Sequence, residues 1–142
     1  MPSHTFADLG VSPAVVRALA GRDVTTPFAV QELVLPDALA GHDVLVKSPT
    51  GSGKTLAFGV PLVERIEPGY GPAALVLAPT RELAGQIVDE LHAIARPRKL
   101  SVVAVYGGVG INPQIRAAAK ADILVATPGR LVDLLERRAV TL

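Results

Sequence analysis

The chain has no cysteine and no tryptophan among its 142 residues. Disulfides and thiolate metal sites are therefore excluded, and the fold must rest on apolar burial. Aromatic residues are few, three Phe and two Tyr, against 49% apolar residues in all, so the core is expected to be aliphatic. The histidines, His4, His42 and His92, stand far apart and do not suggest a shared metal site. No run of about 18 apolar residues occurs, and the N-terminus lacks a charged-then-apolar leader. The expectation is a soluble, intracellular, cytoplasmic protein without a membrane partner. An excess of one charge is missing too. At a net charge of +1, no broad field marks a nucleic-acid partner, and such binding would rest on a few placed arginines and backbone amides. The length suits one domain with an ordinary core.

The most informative stretch present is Ser48-Pro49-Thr50-Gly51-Ser52-Gly53-Lys54-Thr55. It follows a short apolar run, Asp43 to Lys47, and precedes a helical pattern. Strand, glycine-containing loop ending in Gly-Lys-Thr, then helix is an arrangement that binds nucleotide phosphates. Gly51 and Gly53 let the backbone curl so that successive N–H groups face one concavity. A helix opening near Lys54 adds its positive dipole end. The Lys54 ammonium has the reach for the β- and γ-phosphates, and the Thr55 hydroxyl suits Mg²⁺. The strict pattern has Gly where Ser48 stands, a small-for-small departure.

Before the loop, Ser12-Pro13 and Thr26-Pro27 each read as the opening of a helix. Gly21 should close the first helix, and Pro36 should break or kink the second. From Asp43 onward strands and helices alternate. Strands are expected at 43–47, 73–78, 100–106 and 123–126. Helices should follow Thr80, with Leu83, Ile87, Leu91 and Ile94 on one face, and should start at Asn112-Pro113 and after Thr127. Continuous apolar strands between helices imply an α/β fold, a parallel sheet with helices on both faces.

Several motifs in one order then carry a resemblance. Thr50 to Thr55 is followed by Pro79-Thr80-Arg81-Glu82-Leu83-Ala84 with Gln86, then Gly107-Gly108, then Thr127-Pro128-Gly129-Arg130. Leu35-Pro36, Gly41, Asp43, Ala57-Phe58, Pro61, Gln114 and Asp122 fit as well. The set, spanning nearly the whole chain, resembles the DEAD-box family of ATP-dependent RNA helicases. The resemblance implies a RecA-like P-loop domain over 42–142, preceded by a helical segment, 1–41, with a partial adenine-reading motif. Its ATP site would comprise Phe6, Gln31 and Ser48 to Thr55, with Lys54 and Thr55 in the chemistry and Thr55 on Mg²⁺. Its RNA track would comprise Pro79, Thr80, Arg81, Gly107, Gly108, Thr127, Gly129 and Arg130, contacting backbone without regard to sequence.

The chain departs from the family pattern at Asp23, Val24 and Phe28, where Gly, an aromatic residue and Thr or Ser are usual. The name-giving Asp-Glu-Ala-Asp, the Ser-Ala-Thr motif and the second RecA-like domain are not in these residues. The chain thus looks like an N-terminal part of a helicase, not expected to turn ATP over alone. In the family, the strands bearing those two motifs lie between the P-loop strand and the strand before Pro79. The sheet is therefore expected to be incomplete, with exposed strand edges open to self-association.

Plainer readings stand beside these. Phe6 reads equally as a core residue and as a stacking platform, and Gln31 also reads as a solvated helix residue. Arg81 and Arg130 follow helix starts, where an ordinary cap or solvated charge is common. For the whole chain, the alternatives are a non-catalytic nucleotide- or RNA-binding module and another P-loop enzyme. The second leaves Pro79 to Ala84 and Thr127 to Arg130 unexplained.

Overall fold

The computed structural model describes residues 4–49, 51, 53–69 and 71–142. Its contacts divide it into two compact units, Met1–Arg65 and Ile66–Leu142. The sequence expectation sets the helical segment at 1–41 and the P-loop domain at 42–142. Residues up to 65 group with the N-terminal helices, since α3 packs against α2.

The first unit carries three helices: α1 (Pro13–Ala20), α2 (Ala29–Leu39) and α3 (Lys54–Arg65). Ser12 precedes α1 with Pro13 at its first position, and Gly21 ends it, as the sequence indicates. The start of α2 differs from expectation. Phe28, not Thr26, is its N-cap residue, and Pro27 is buried just before it. The side-chain oxygen of Gln31 accepts from the Phe28 N–H at 2.9 Å, which satisfies a donor that a helix start leaves open. Pro36 does not break α2, which continues to Leu39. Val15, Leu19, Leu35, Val60 and Val63 are buried from the three helices.

The expected strand at 43–47 is a correction. Residues 42–49 form no strand, and Val44, Leu45 and Val46 are exposed, Leu45 fully so. A strand exists by virtue of its ladder, and among the described residues nothing pairs with this one.

The second unit is a three-stranded parallel sheet of β1 (Ala74–Leu77), β2 (Val102–Val105) and β3 (Ile123–Ala126), in the order β1-β3-β2. β3 is buried along its whole length, as befits a central parallel strand. Between the strands run α4 (Arg81–Ala95) and α5 (Ile111–Ala118), and α6 (Pro128–Glu136) follows β3. The connection through α4 crosses from β1 to β2, and the one through α5 returns from β2 to β3. Right-handed crossovers in opposite directions put their helices on opposite faces. In register, Leu75, Val103, Leu124 and their neighbours Val105 and Ala126 cluster with Ile111, Ile115 and Ala118 of α5 and Leu131 and Leu134 of α6. α4, with Ala84, Ile87, Leu91 and Ile94 buried, packs on β2 and β3.

Asp122, just before β3, is one of two buried polar residues among the described residues, and its side chain ties loops together. It accepts from the N–H of Gly69 at 2.9 Å and of Ser101 at 2.8 Å. With β3 in the middle, the C-terminal ends of all three strands emerge side by side. The residues of the expected RNA track lie beyond those ends.

Candidate functional site

In the first unit, the phosphate-loop candidates gather where α2 meets the start of α3. Gly51 and Gly53 have φ of +80° and +88°, the left-handed region that turns N–H groups of adjacent residues toward one side. Thr50 and Ser52 lie outside the described residues. Gly53 has a second reason to be glycine. A Cβ there would fall 2.7 Å from Phe28 Cδ2 and would also clash with the Gln31 amide. That close approach brings the Gln31 Nε2 to the Gly53 carbonyl at 3.1 Å. With Oε1 on Phe28, Gln31 is thus a buried strut between α2 and the loop, 2% exposed. Its position on the loop was not legible from spacing, which indicated only an adenine reader.

Lys54 opens α3, and its ammonium donates to the carbonyl of Ser48 at 2.7 Å, across the loop. An exposed hydrogen bond to a carbonyl is readily exchanged for phosphate oxygens, which bind an ammonium more strongly. Thr55 is half-buried in the first turn of the same helix, and Pro49 is exposed. Phe6 is inside the core at 2% exposed, so it follows the packing alternative and presents no ring face for stacking.

In the second unit, Pro79, Thr80 and Arg81 join β1 to α4. Thr80 caps the helix, its hydroxyl accepting from the Leu83 N–H at 3.2 Å. Arg81 is exposed and pairs loosely with Glu82 at 3.4 Å. Glu82's own backbone N–H, then the Arg81 side chain, hold its carboxyl below the usual glutamate value. Glu82 needs no chemical role beyond this helix start.

Gly107 and Gly108 follow β2 and are exposed. Gly108 has φ +85°, and a Cβ on it would lie 3.1 Å from Arg81 Nη1, which brings two separate motifs together. Thr127 precedes α6 with Pro128 at its first position but makes no side-chain cap bond. Its N–H donates instead to the carbonyl of Val105 at 3.1 Å. Gly129 is exposed, while Arg130 turns inward to the Val109 carbonyl and to Gln114. Pro79 to Arg81, Gly107-Gly108 and Thr127 to Arg130 therefore share one end of the sheet. Among the described residues there is no group of three or more metal-ligating side chains, and no helix is long and apolar enough to cross a membrane.

The pattern of these motifs is matched over residues 28–142 by the model of the DEAD/DEAH box helicase family. The chain belongs to this family. It is 42% identical over 99% of its length to the RNA helicase CrhR of Synechocystis, and 43% identical over 96% to the mitochondrial DEAD-box ATP-dependent RNA helicase 9 of Arabidopsis thaliana. It spans 29% and 23% of those two relatives. Among solved structures it resembles a DEAD box protein from Methanococcus jannaschii, with a TM-score of 0.93 and 35% identity over 99% of this chain and 39% of that one. A hypothetical ATP-dependent RNA helicase from Sulfolobus tokodaii matches at a TM-score of 0.82 and 37% identity, covering 89% and 37%. The fold is thus that of DEAD-box RecA-like domains, represented here by three of its strands.

Proposed function

We propose that this chain is the phosphate-binding and RNA-facing portion of an ATP-dependent RNA helicase. ATP would sit on the loop from Ser48 to Thr55, with Lys54 on the β- and γ-phosphates and the Thr55 hydroxyl on Mg²⁺. Gln31 would hold the loop in shape, and would read adenine only if its buried amide is uncovered when nucleotide binds. The observation that carries the reading is the positive φ at both Gly51 and Gly53 directly before a helix that opens with Lys54. That geometry is the one that collects phosphate oxygens.

RNA would run over the turns after β1, β2 and β3, touching Thr80, Arg81, Gly107, Gly108, Thr127 and Gly129. Such contacts go to backbone phosphate and sugar and carry no sequence information. Discrimination from DNA would come from 2′-hydroxyl contacts. Unwinding needs a second RecA-like domain to close over the nucleotide, and the cytoplasm is the setting this reading implies. Residues 1–142 contain no Asp-Glu-Ala-Asp, so by themselves they bind without hydrolysing. An arginine from a second domain alone accounts for about 10³–10⁵ in the rate of P-loop enzymes.

The test is binding of a labelled single-stranded RNA as a function of salt, together with phosphate release from ATP. Arg81→Ala should weaken binding to all sequences alike and lower the salt slope by about one. A loss confined to one RNA sequence would point to base readout and overturn the proposal. RNA-stimulated turnover by residues 1–142 would overturn the non-catalytic part.

A further inference from the structure

Gln114, in the first turn of α5, makes three hydrogen bonds that converge on one turn. Its Oε1 accepts from the Tyr106 N–H at 3.2 Å, and its Nε2 donates to the Tyr106 carbonyl at 3.1 Å. The same Oε1 accepts from Arg130 Nη1 at 2.8 Å. Arg130 donates through Nη2 to the carbonyl of Val109 at 3.0 Å. Tyr106 and Val109 bracket Gly107-Gly108. The di-glycine turn is thus gripped at its entrance by Gln114 and at its exit by Arg130, and the two grips are bonded to each other.

The chemistry suits the place. β2 pairs with β3 only as far as Val105, so the ladder no longer serves Tyr106. A carboxamide carries an acceptor and a donor side by side, so it can satisfy both the N–H and the C=O of one residue. Meanwhile the turn is open on its outer side, since nothing lies within 4 Å of a Cβ placed on Gly107. Two adjacent exposed glycines are conformationally the most mobile pair a chain can present, and ordering them on a ligand weakens binding. Holding them beforehand removes that loss.

We propose that Gln114 is a positioning residue for nucleic-acid binding. Together with Arg130 it clasps the Gly107-Gly108 turn to the start of α6, so that both turns meet one strand as a preorganised surface. This deepens the RNA reading and rests on it for the ligand, though not for the clasp. Arg130 then acts on RNA through the turn, its guanidinium directed inward. Arg81, exposed beside Gly108, is the cation that faces phosphate.

The test uses the full chain, three single variants, Gln114→Ala, Arg130→Ala and Arg130→Lys, and the double alanine variant. Lysine keeps the charge but lacks the planar fork that reaches Val109 and Gln114 together. Amide hydrogen exchange at residues 107–110 should quicken by about threefold or more in all three, with the double alanine variant no faster than either single one. A thermal melt in common identifies any variant that fails to fold, and Arg130→Lys is the mildest of them.

Binding to a labelled uridine oligonucleotide should fall by about three- to tenfold in Gln114→Ala and Arg130→Lys with an unchanged salt slope, because no phosphate contact is lost. Wild-type affinity in Arg130→Lys beside a lowered slope in Arg130→Ala would overturn the proposal and make Arg130 a phosphate contact. Unchanged exchange in Gln114→Ala would overturn the clasp. A wild-type chain that ignores the oligonucleotide while the exchange arm succeeds would overturn the RNA reading and leave the clasp established as structural.

Discussion

In the candidate phosphate loop, the contacts of Gln31 and Lys54 give the two residues separable expected effects, on stability and on affinity. Gln31 is buried and bonded on both sides, so Gln31→Ala strands the Phe28 N–H and the Gly53 carbonyl. A buried group left unmatched costs about 1–3 kcal/mol, and the melting temperature should fall accordingly. Lys54 is exposed and donates to the Ser48 carbonyl, so Lys54→Ala should change stability by less than about 0.5 kcal/mol. Its effect should appear in ADP affinity, where a charge-assisted contact is worth about 1.5–3 kcal/mol. Thermal melts and calorimetric titration of ADP check both halves. A greater affinity loss in Gln31→Ala, at equal folding, would reverse this ranking. Both residues are legible in the sequence because Gly-Lys-Thr and the proline-to-glutamine spacing are local patterns. The partners of Gln31 are not legible, because Gly53 lies 22 residues away and meets it only through the packing of α2. Burial likewise decides for Phe6 what its side-chain type left open.

The element that behaves least like its sequence is the run from Asp43 to Lys47. Its apolar residues read as a covered strand, yet Leu45 is fully exposed and Leu33 of α2 is 77% exposed. Between α2 and this run lies a cleft of about 570 Å³ lined by Val30, Leu33, Val34, Val44 and Val46. Apolar pattern measures what a segment would bury, and a partner must be present for burial to follow. Leu124 in β3 is the contrast, fully buried between parallel neighbours. Leu45→Lys should therefore leave the stability of the 142-residue chain within about 0.5 kcal/mol. Leu124→Ala should remove about 2–5 kcal/mol, a large part of what a domain possesses. Chemical denaturation of the two variants checks this, and a destabilising Leu45→Lys would mean that the run is covered in solution. The strands at β1, β2 and β3 and the helices α4 to α6 were legible to within a residue or two, since each strand finds a pairing neighbour within the chain.

At the scale of the molecule, the exposed apolar groups do not stand alone. β1 is an edge strand with Leu77 exposed, and Val44, Leu45 and Val46 are open in the other unit. Unpaired edges and apolar patches of this kind template association between chains. The 142-residue chain should self-associate as concentration rises, and sedimentation velocity over a hundredfold range of about 1–100 μM should show it. A species that remains monomeric throughout would show that these edges are protected. Lysine at Leu45 and Leu77 together should then shift any association back toward monomer, since charge on an edge opposes pairing.

Family, candidate phosphate loop and the order of strands and helices follow from contiguous stretches of residues, because a motif and a helical repeat are each contained within a few turns of chain. Which strands have neighbours, and which side chains are engaged, depends on contacts between residues far apart in sequence. The ladder that β3 completes for β1 and β2 is absent for residues 43–47, and the amide of Gln114 serves a turn eight residues behind it and an arginine sixteen ahead. A hydrogen bond or a buried face needs both of its sides, and the chain's local pattern specifies one of them.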